Sequence, residues 1–377
     1  MKYFDHAAST SIYPEVLDSM IRTFKEDFAN PNSRHLFGSA LLKKIDDVRV
    51  FFLQTLKADK HDLFIFTSSA TESNNTVIKG MIFNEGDTIL YSKADHASMV
   101  EPIEAIAIEK KLKLKIIPLD KRGLIDIEEF KNLLSQDVKL VAITHVNNQS
   151  GVINDIHLLA GLVKEYTAAH VHVDAVQSFT KISFNVSGNI DSSSMTSHKI
   201  GGPKGVAGLF LKQNHKIKPL LMGGGQEYGL RSSTQAFPLI KAFADAARIS
   251  LNKMDESFIN ALNLNETVKT FLSTHIPAAK FPFVNTSPYI LTFILPGIPS
   301  DVLLRRLEQR SFILSSTAAC SSKIKGFNPT LASLNISETF HKNVLRLSFG
   351  HDTSKESVDL LNTAFLEVWN DLKFLTK

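Results

Sequence analysis

Two hydrophobic periods alternate along the chain. Over 14–28 the apolar residues Val16, Leu17, Met20, Ile21, Phe24 and Phe28 recur at helical spacing. A turn at Asn30-Pro31-Asn32-Ser33 follows, where Pro31 disfavours helix at Asn30, and a second helix is predicted over 38–56. Short apolar runs then mark strands at 63–67, 88–91, 114–118, 139–144, 171–174 and 206–211. Helical patterns at 97–111, 125–134 and 155–168 separate them. Ser69 and Glu72 have the spacing of a capping box, so a helix should also start directly after the first strand. This βα alternation predicts an α/β fold with a mostly parallel sheet between helices.

Beyond about residue 249 the pattern changes. It predicts a helix over 255–272, a strand over 289–295, a helix over 300–310 and a strand over 344–349. Thr353, Ser354, Lys355 and Glu356 read as a capping box opening a last amphipathic helix through Leu360, Leu361, Phe365 and Trp369. The expected organisation is a large domain over 13–249 and a smaller α+β domain built from 1–12 and 250–377.

Composition narrows this little. The chain has 377 residues, 44% hydrophobic and 21% charged, as in ordinary soluble domains. Its 42 basic and 38 acidic residues give a net charge of +4, scattered without a basic arm, so nucleic acid is not an expected partner. No stretch has the length or apolarity of a membrane span or a signal peptide, which points to the cytoplasm. Cys320 is the one cysteine, which excludes an intramolecular disulfide and a multi-cysteine metal site; no metal is expected.

Candidate chemistry gathers at strand ends, where sheets of this kind bind ligands. Thr196, Ser197, His198 and Lys199 precede the Gly/Pro turn Gly201-Gly202-Pro203. Alone this reads as a solvated loop, but a lysine among hydroxyls and an imidazole also suits a Schiff-base lysine beside a phosphate site. The helix start at Ala70 and Thr71 would offer unpaired N–H groups to that phosphate. Asp174 closes an apolar strand, where a carboxylate needs a positive partner such as a protonated pyridine nitrogen. Gln177 could donate to a phenolic oxygen and His96 could stack on a ring. Asn148 suits ring or substrate contact, and the Arg346 fork suits a substrate carboxylate.

Together these motifs resemble the NifS/IscS-like cysteine desulfurases, within the class-V aminotransferase family of fold-type I enzymes that use pyridoxal phosphate. The resemblance rests on Asn30-Pro31-Asn32-Ser33-Arg34-His35, Thr67-Ser68-Ser69-Ala70-Thr71-Glu72-Ser73-Asn74 and His145-Val146-Asn147-Asn148. It continues through His172-Val173-Asp174-Ala175-Val176-Gln177, Ser197-His198-Lys199, Gly223-Gly224-Gly225-Gln226-Glu227, Arg231-Ser232-Ser233-Thr234 and Ser315-Ser316-Thr317-Ala318-Ala319-Cys320.

What the resemblance implies is specific. Lys199 would carry the cofactor and move the substrate's Cα proton, Asp174 would pair with the pyridine nitrogen, and His96 would stack on the ring. Gln177 and Asn148 would lie near the phenolic oxygen. Ala70, Thr71, Thr196 and His198 would hold the phosphate, and Thr234 would reach the phosphate of a partner subunit in a homodimer. Arg346 would grip L-cysteine. Cys320, flanked by Lys323 and Lys325, which favour a thiolate, would take sulfur as a persulfide and pass it to an acceptor. Iron–sulfur cluster assembly and tRNA thiolation are both open as destinations. Ser69, Ser197, Ser233 and Thr317 stand where the family commonly has glycine, so crowding of the phosphate is expected at Ser69 and Ser197. The alternatives are a selenocysteine lyase or other lyase using the same cofactor, and a degenerate relative acting as a scaffold or regulator.

Overall fold

The structure is a computed structural model, and it describes residues 1–213, 216–316 and 327–372. A short β1 (Lys2–Tyr3) is followed by α1 (Pro14–Glu26) and α2 (Leu36–Thr55). The alternating region then runs β2 (Leu63–Thr67), α3 (Ala70–Gly80), β3 (Thr88–Tyr91), α4 (Ala97–Lys110) and β4 (Lys113–Ile116). It continues with α5 (Ile127–Leu133), β5 (Val138–Thr144), α6 (Ile156–Tyr166), β6 (His170–Asp174), β7 (Ser192–Thr196) and β8 (Ala207–Leu211).

These strands form one seven-stranded sheet in the order β2-β8-β7-β6-β5-β3-β4. Only β8 runs against its neighbours, so the carboxyl ends of all the others open onto one edge. The α/β fold with a mostly parallel sheet is therefore as expected. One sheet face packs on α1, α2, α6 and α7 (Phe237–Asn252). There Phe52 stacks on Phe64 at 4.3 Å and meets Phe243 at 4.5 Å, joining two helices to β2. The other face buries Ile78, Met99, Ile103 and Ile106 of α3 and α4.

Downstream come α8 (Met254–His275), β9 (Ile290–Ile294), α9 (Ser300–Glu308), β10 (Phe312–Ile313), α10 (Pro329–Ser333), β11 (Val344–Ser348) and α11 (Lys355–Leu372). Strand β9 pairs antiparallel with β11, and β1 pairs parallel with β10. Phe4 enters the same apolar cluster as Val268, Phe293, Leu345 and Phe365. The first residues thus run from this second cluster toward the large sheet.

Three local readings change. Thr196, at the head of the stretch that reads as a solvated loop, instead closes a fully buried central strand over 192–196, whose backbone pairs with β6 and β8. Helix α1 turns Val16, Ser19 and Thr23 inward, while Leu17, Ile21, Phe24 and Phe28 are exposed, the last at 75%. Ser19 pins that face by donating to Asp245 Oδ2 on α7 at 2.8 Å. At the final helix Ser354, not Thr353, accepts from the Ser357 N–H, whereas Thr353 Oγ1 accepts from Gly350 N.

Candidate active site

Lys199 ends a 3-10 turn over Ser197–Lys199 that follows β7 directly. The turn is held by β7 on one side and by Gly201 and Gly202 on the other. A Cβ on Gly201 would collide with Tyr13, and one on Gly202 with the Ser197 hydroxyl, so neither position has room for a side chain. Lys199 Nζ donates to the carbonyls of Ala7 and Ala8, and among the described residues it has no carboxylate partner. Burial lowers this amine to about 7, and the positive charges of Lys181 and Arg346 add to the fall while Asp5 and Asp174 oppose it. Near neutral pH a large share of Lys199 is the free amine, the form that attacks a carbonyl.

Asp174 lies at the carboxyl end of β6, 5% exposed. Its Oδ1 accepts from Val176 N at 2.9 Å and its Oδ2 from Asn74 Nδ2 at 3.0 Å. His96 caps α4, with Ser98 N donating to its Nδ1 at 3.1 Å. His96 is exposed as a residue, yet burial of its imidazole lowers the pKa, with Asp174 raising it and Lys199 lowering it. Lys199, Asp174 and His96 therefore sit within one another's fields.

Residues 2–361 match the family described as Aminotransferase class-V. The chain belongs to the class-V aminotransferase family. A NifS/IcsS protein homolog of Lactobacillus delbrueckii subsp. bulgaricus is 32% identical, over 98% of this chain and 97% of the relative. Cysteine desulfurase IscS of Clostridium botulinum is 31% identical over 95% and 91%. A solved NifS-like protein superposes with a TM-score of 0.91 at 28% identity, covering 98% of this chain and 100% of the other. As in the fold-type I members of the family, helices flank a mostly parallel sheet.

The residues present fit pyridoxal phosphate, the cofactor of this class-V aminotransferase family. Lys199 is an amine without a counter-ion, suited to the cofactor's carbonyl. Asp174 is a buried carboxylate with no ion-pair partner among the described residues and with lone pairs beyond its two donors, suited to the ring nitrogen. Burial lowers the His198 imidazole to about 4, with Lys199, Lys204 and Lys181 adding to the effect.

At the start of α3, Ser69 caps the helix by accepting from Glu72 N at 3.1 Å. The Glu72 carboxylate does not complete the box on Ser69. It accepts from Ser68 N at 2.7 Å and pairs with Arg231 at 2.8 Å. Ser69 has φ −164°, extended backbone open to any residue, and neither Ser197 nor Ser233 has positive φ. Serine thus strains none of these three positions. The Ser197 hydroxyl is nevertheless buried without a partner among the described residues. Ala70 and Thr71 begin α3, Thr196 Oγ1 lies 3.5 Å from the Val206 carbonyl, and Thr234 is exposed.

Gln177 Nε2 donates to the Ala7 carbonyl at 2.9 Å, and its Oε1 accepts from the buried Lys181 at 3.3 Å. Arg346 on β11 donates to the Asn148 carbonyl at 2.8 Å and to Asp5 Oδ1 at 2.7 Å, leaving its buried Nε without a partner among the described residues. Cys320, Thr317, Lys323 and Lys325 lie outside the described residues.

Sequence reasoning missed Asp5 and Lys181. Neither stands in a motif of its own, and only the fold brings them to Arg346 and Lys199. It gave no role to Asp95, the neighbour of His96, whose burial raises its carboxyl to about 7, helped by the Asp174 charge. The Thr144 hydroxyl lies close enough to ease this without the alignment of a hydrogen bond. Because the folded state holds this proton more tightly, the stabilisation is full below the ordinary value near 4 and is lost as pH rises through 7. Asp95→Asn is expected to flatten the pH dependence of the unfolding free energy from urea titrations between about pH 4 and 7, by roughly 1–3 kcal/mol. An unchanged slope would mean that Asp95 is ionised in the folded protein.

Proposed function

We propose that the protein is a cysteine desulfurase that converts L-cysteine to L-alanine and passes the sulfur through Cys320 to an acceptor. The observation that carries this reading is the convergence of a counter-ion-free Lys199, a buried strand-end Asp174 and the ring of His96 on one sheet edge. The relatives named cysteine desulfurase and the single cysteine of this chain supply the choice of reaction.

Pyridoxal phosphate, when bound, supplies an electron sink for carbanion chemistry at the substrate's Cα. The chain's own residues do the rest. Lys199 would hold the cofactor and carry the substrate's Cα proton. Asp174 keeps the ring nitrogen protonated, while His96, Gln177 and Asn148 orient the ring. Ala70, Thr71, Thr196 and His198 hold the phosphate, and Thr234 serves the phosphate in the partner subunit. The Cys320 thiolate attacks the substrate's sulfur: an S–S bond forms, the Cβ–S bond breaks with its electron pair left on carbon, and Cβ takes a proton. L-cysteine plus the thiol thus yields L-alanine plus a persulfide, in balance.

The homodimer is part of the same reading. The exposed Leu17, Ile21 and Phe24 on α1 and Phe28 just after it, with Leu36 and Phe37 on α2, are an apolar surface that a second copy would cover. Residues 13–249 are taken as the cofactor-binding domain, and 1–12 with 250–377 as the smaller one. Among the described residues no helix is long and apolar enough to cross a membrane, which supports a cytoplasmic site of action.

The direct test incubates purified protein with pyridoxal phosphate and L-cysteine. Alanine should appear in step with sulfane sulfur, and the Cys320 peptide should gain one sulfur atom by mass. Pyruvate in place of alanine would overturn the reading. Arg346→Lys should raise KM for L-cysteine about 10- to 100-fold with a smaller change in kcat, because the planar fork is lost while the charge facing Asp5 remains. An unchanged KM would place the carboxylate elsewhere.

A further inference from the structure

Asn74 on α3 is fully buried, and both ends of its amide are used. Nδ2 donates to Asp174 Oδ2 at 3.0 Å and to Ser98 Oγ at 2.9 Å, while Oδ1 lies 3.0 Å from His172 Nε2. Ser98 Oγ in turn lies 2.8 Å from His96 Nδ1. Beyond His172, Ser192 Oγ lies 2.7 Å from its Nδ1 and 2.6 Å from His170 Nε2.

Donor chemistry gives this network one direction. A carboxylate only accepts, so the NH2 end of Asn74 must face Asp174. Its second hydrogen goes to Ser98 Oγ, which leaves the serine hydroxyl hydrogen for His96 Nδ1. The Ser98 backbone N–H points into the same nitrogen at 3.1 Å. With two donors on Nδ1, a neutral His96 carries its proton on Nε2. At the far end Asn74 Oδ1 only accepts, so His172 is protonated on Nε2 and accepts at Nδ1. Burial holds His172 at about 3, so that ring stays neutral and the relay keeps its sense at working pH.

We propose that Asn74 is a positioning residue that fixes His96 in the Nε2–H tautomer and aims Asp174 into the site, tying the two through a single amide. The proposal rests on the reading of His96 and Asp174 as the groups facing the cofactor ring. It goes beyond that reading by assigning the proton position on His96 and the residue that sets it. Asn74→Asp keeps the size but reverses the donors. Its new carboxylate faces Asp174 and accepts from Ser98 Oγ, drawing the hydroxyl away from His96.

The test is 15N NMR of histidine-labelled protein, with and without pyridoxal phosphate. In the unaltered protein the His96 nitrogens should show the Nε2–H pattern. Asn74→Asp should shift His96 toward a mixture of tautomers and weaken binding of pyridoxal phosphate about 10- to 100-fold. Ser98→Ala cuts only the His96 arm. It should move the His96 Nδ1 resonance and leave the ring nitrogen of 15N-labelled cofactor protonated as before. An Nδ1–H pattern in the unaltered protein overturns the proposal. So does an unmoved His96 in Asn74→Asp, or in Ser98→Ala should the first variant not fold. If the unaltered protein binds no pyridoxal phosphate, the functional reading fails while the tautomer assignment is still decided without it.

Discussion

Lys199→Ala is expected to abolish covalent attachment of pyridoxal phosphate and to lower kcat/KM for L-cysteine by about 10²–10⁴-fold or more. The side chain does two things that alanine cannot. It supplies an amine lowered to about 7 by burial and by Lys181 and Arg346, so that a large share is unprotonated near neutral pH. It also holds that amine at the end of β7, where the carbonyls of Ala7 and Ala8 receive it. In the native protein, attachment should strengthen as pH rises through about 7, because deprotonation of Lys199 creates the nucleophile. The visible absorbance of protein freed of excess cofactor measures this. A visible band in Lys199→Ala that survives gel filtration, and that borohydride reduction converts to a stable label on another lysine, would place the anchor elsewhere.

Cys320→Ser should lower alanine formation from L-cysteine by at least about 10²-fold while leaving the visible band of the bound cofactor unchanged. Serine keeps the volume and removes the thiolate, and no other cysteine in the chain can take over. The variant therefore separates the two halves of the chemistry, with cofactor chemistry at Lys199 and sulfur transfer at Cys320. Alanine formation that persists in Cys320→Ser with dithiothreitol present would favour a lyase, including one acting on selenocysteine. A native protein that pyridoxal phosphate never colours would leave only the scaffold reading.

The sheet and its strand-end residues were legible because each signal was local. Apolar runs bounded by polar clusters gave β2, β3, β5, β6 and β8; Asp174 ends one such run and His96 stands shortly after another. Signals failed where a partner surface reverses the local pattern. The five residues of β7 contain three serines, yet they pair on both sides and lie wholly inside the sheet. Ser192 is satisfied there by His170 and His172, residues two apart on the neighbouring strand. Helix α1 has a helical apolar period, but the face it buries is set by Ser19 and its link to Asp245 on α7, an element the periodicity did not reveal.

The sequence by itself determined the α/β class, the family and the residue types of the site, because hydrophobic period and motif order are properties of the chain alone. Only the tertiary structure decided what surrounds each of those residues. Arg346 and Asp5 meet across nearly the whole chain, Lys181 and Lys199 are brought within each other's fields, and Asn74 links Asp174 to Ser98 and His172. Protonation and orientation are set by burial and by partners far apart in sequence, and those exist only once the sheet and its helices have packed.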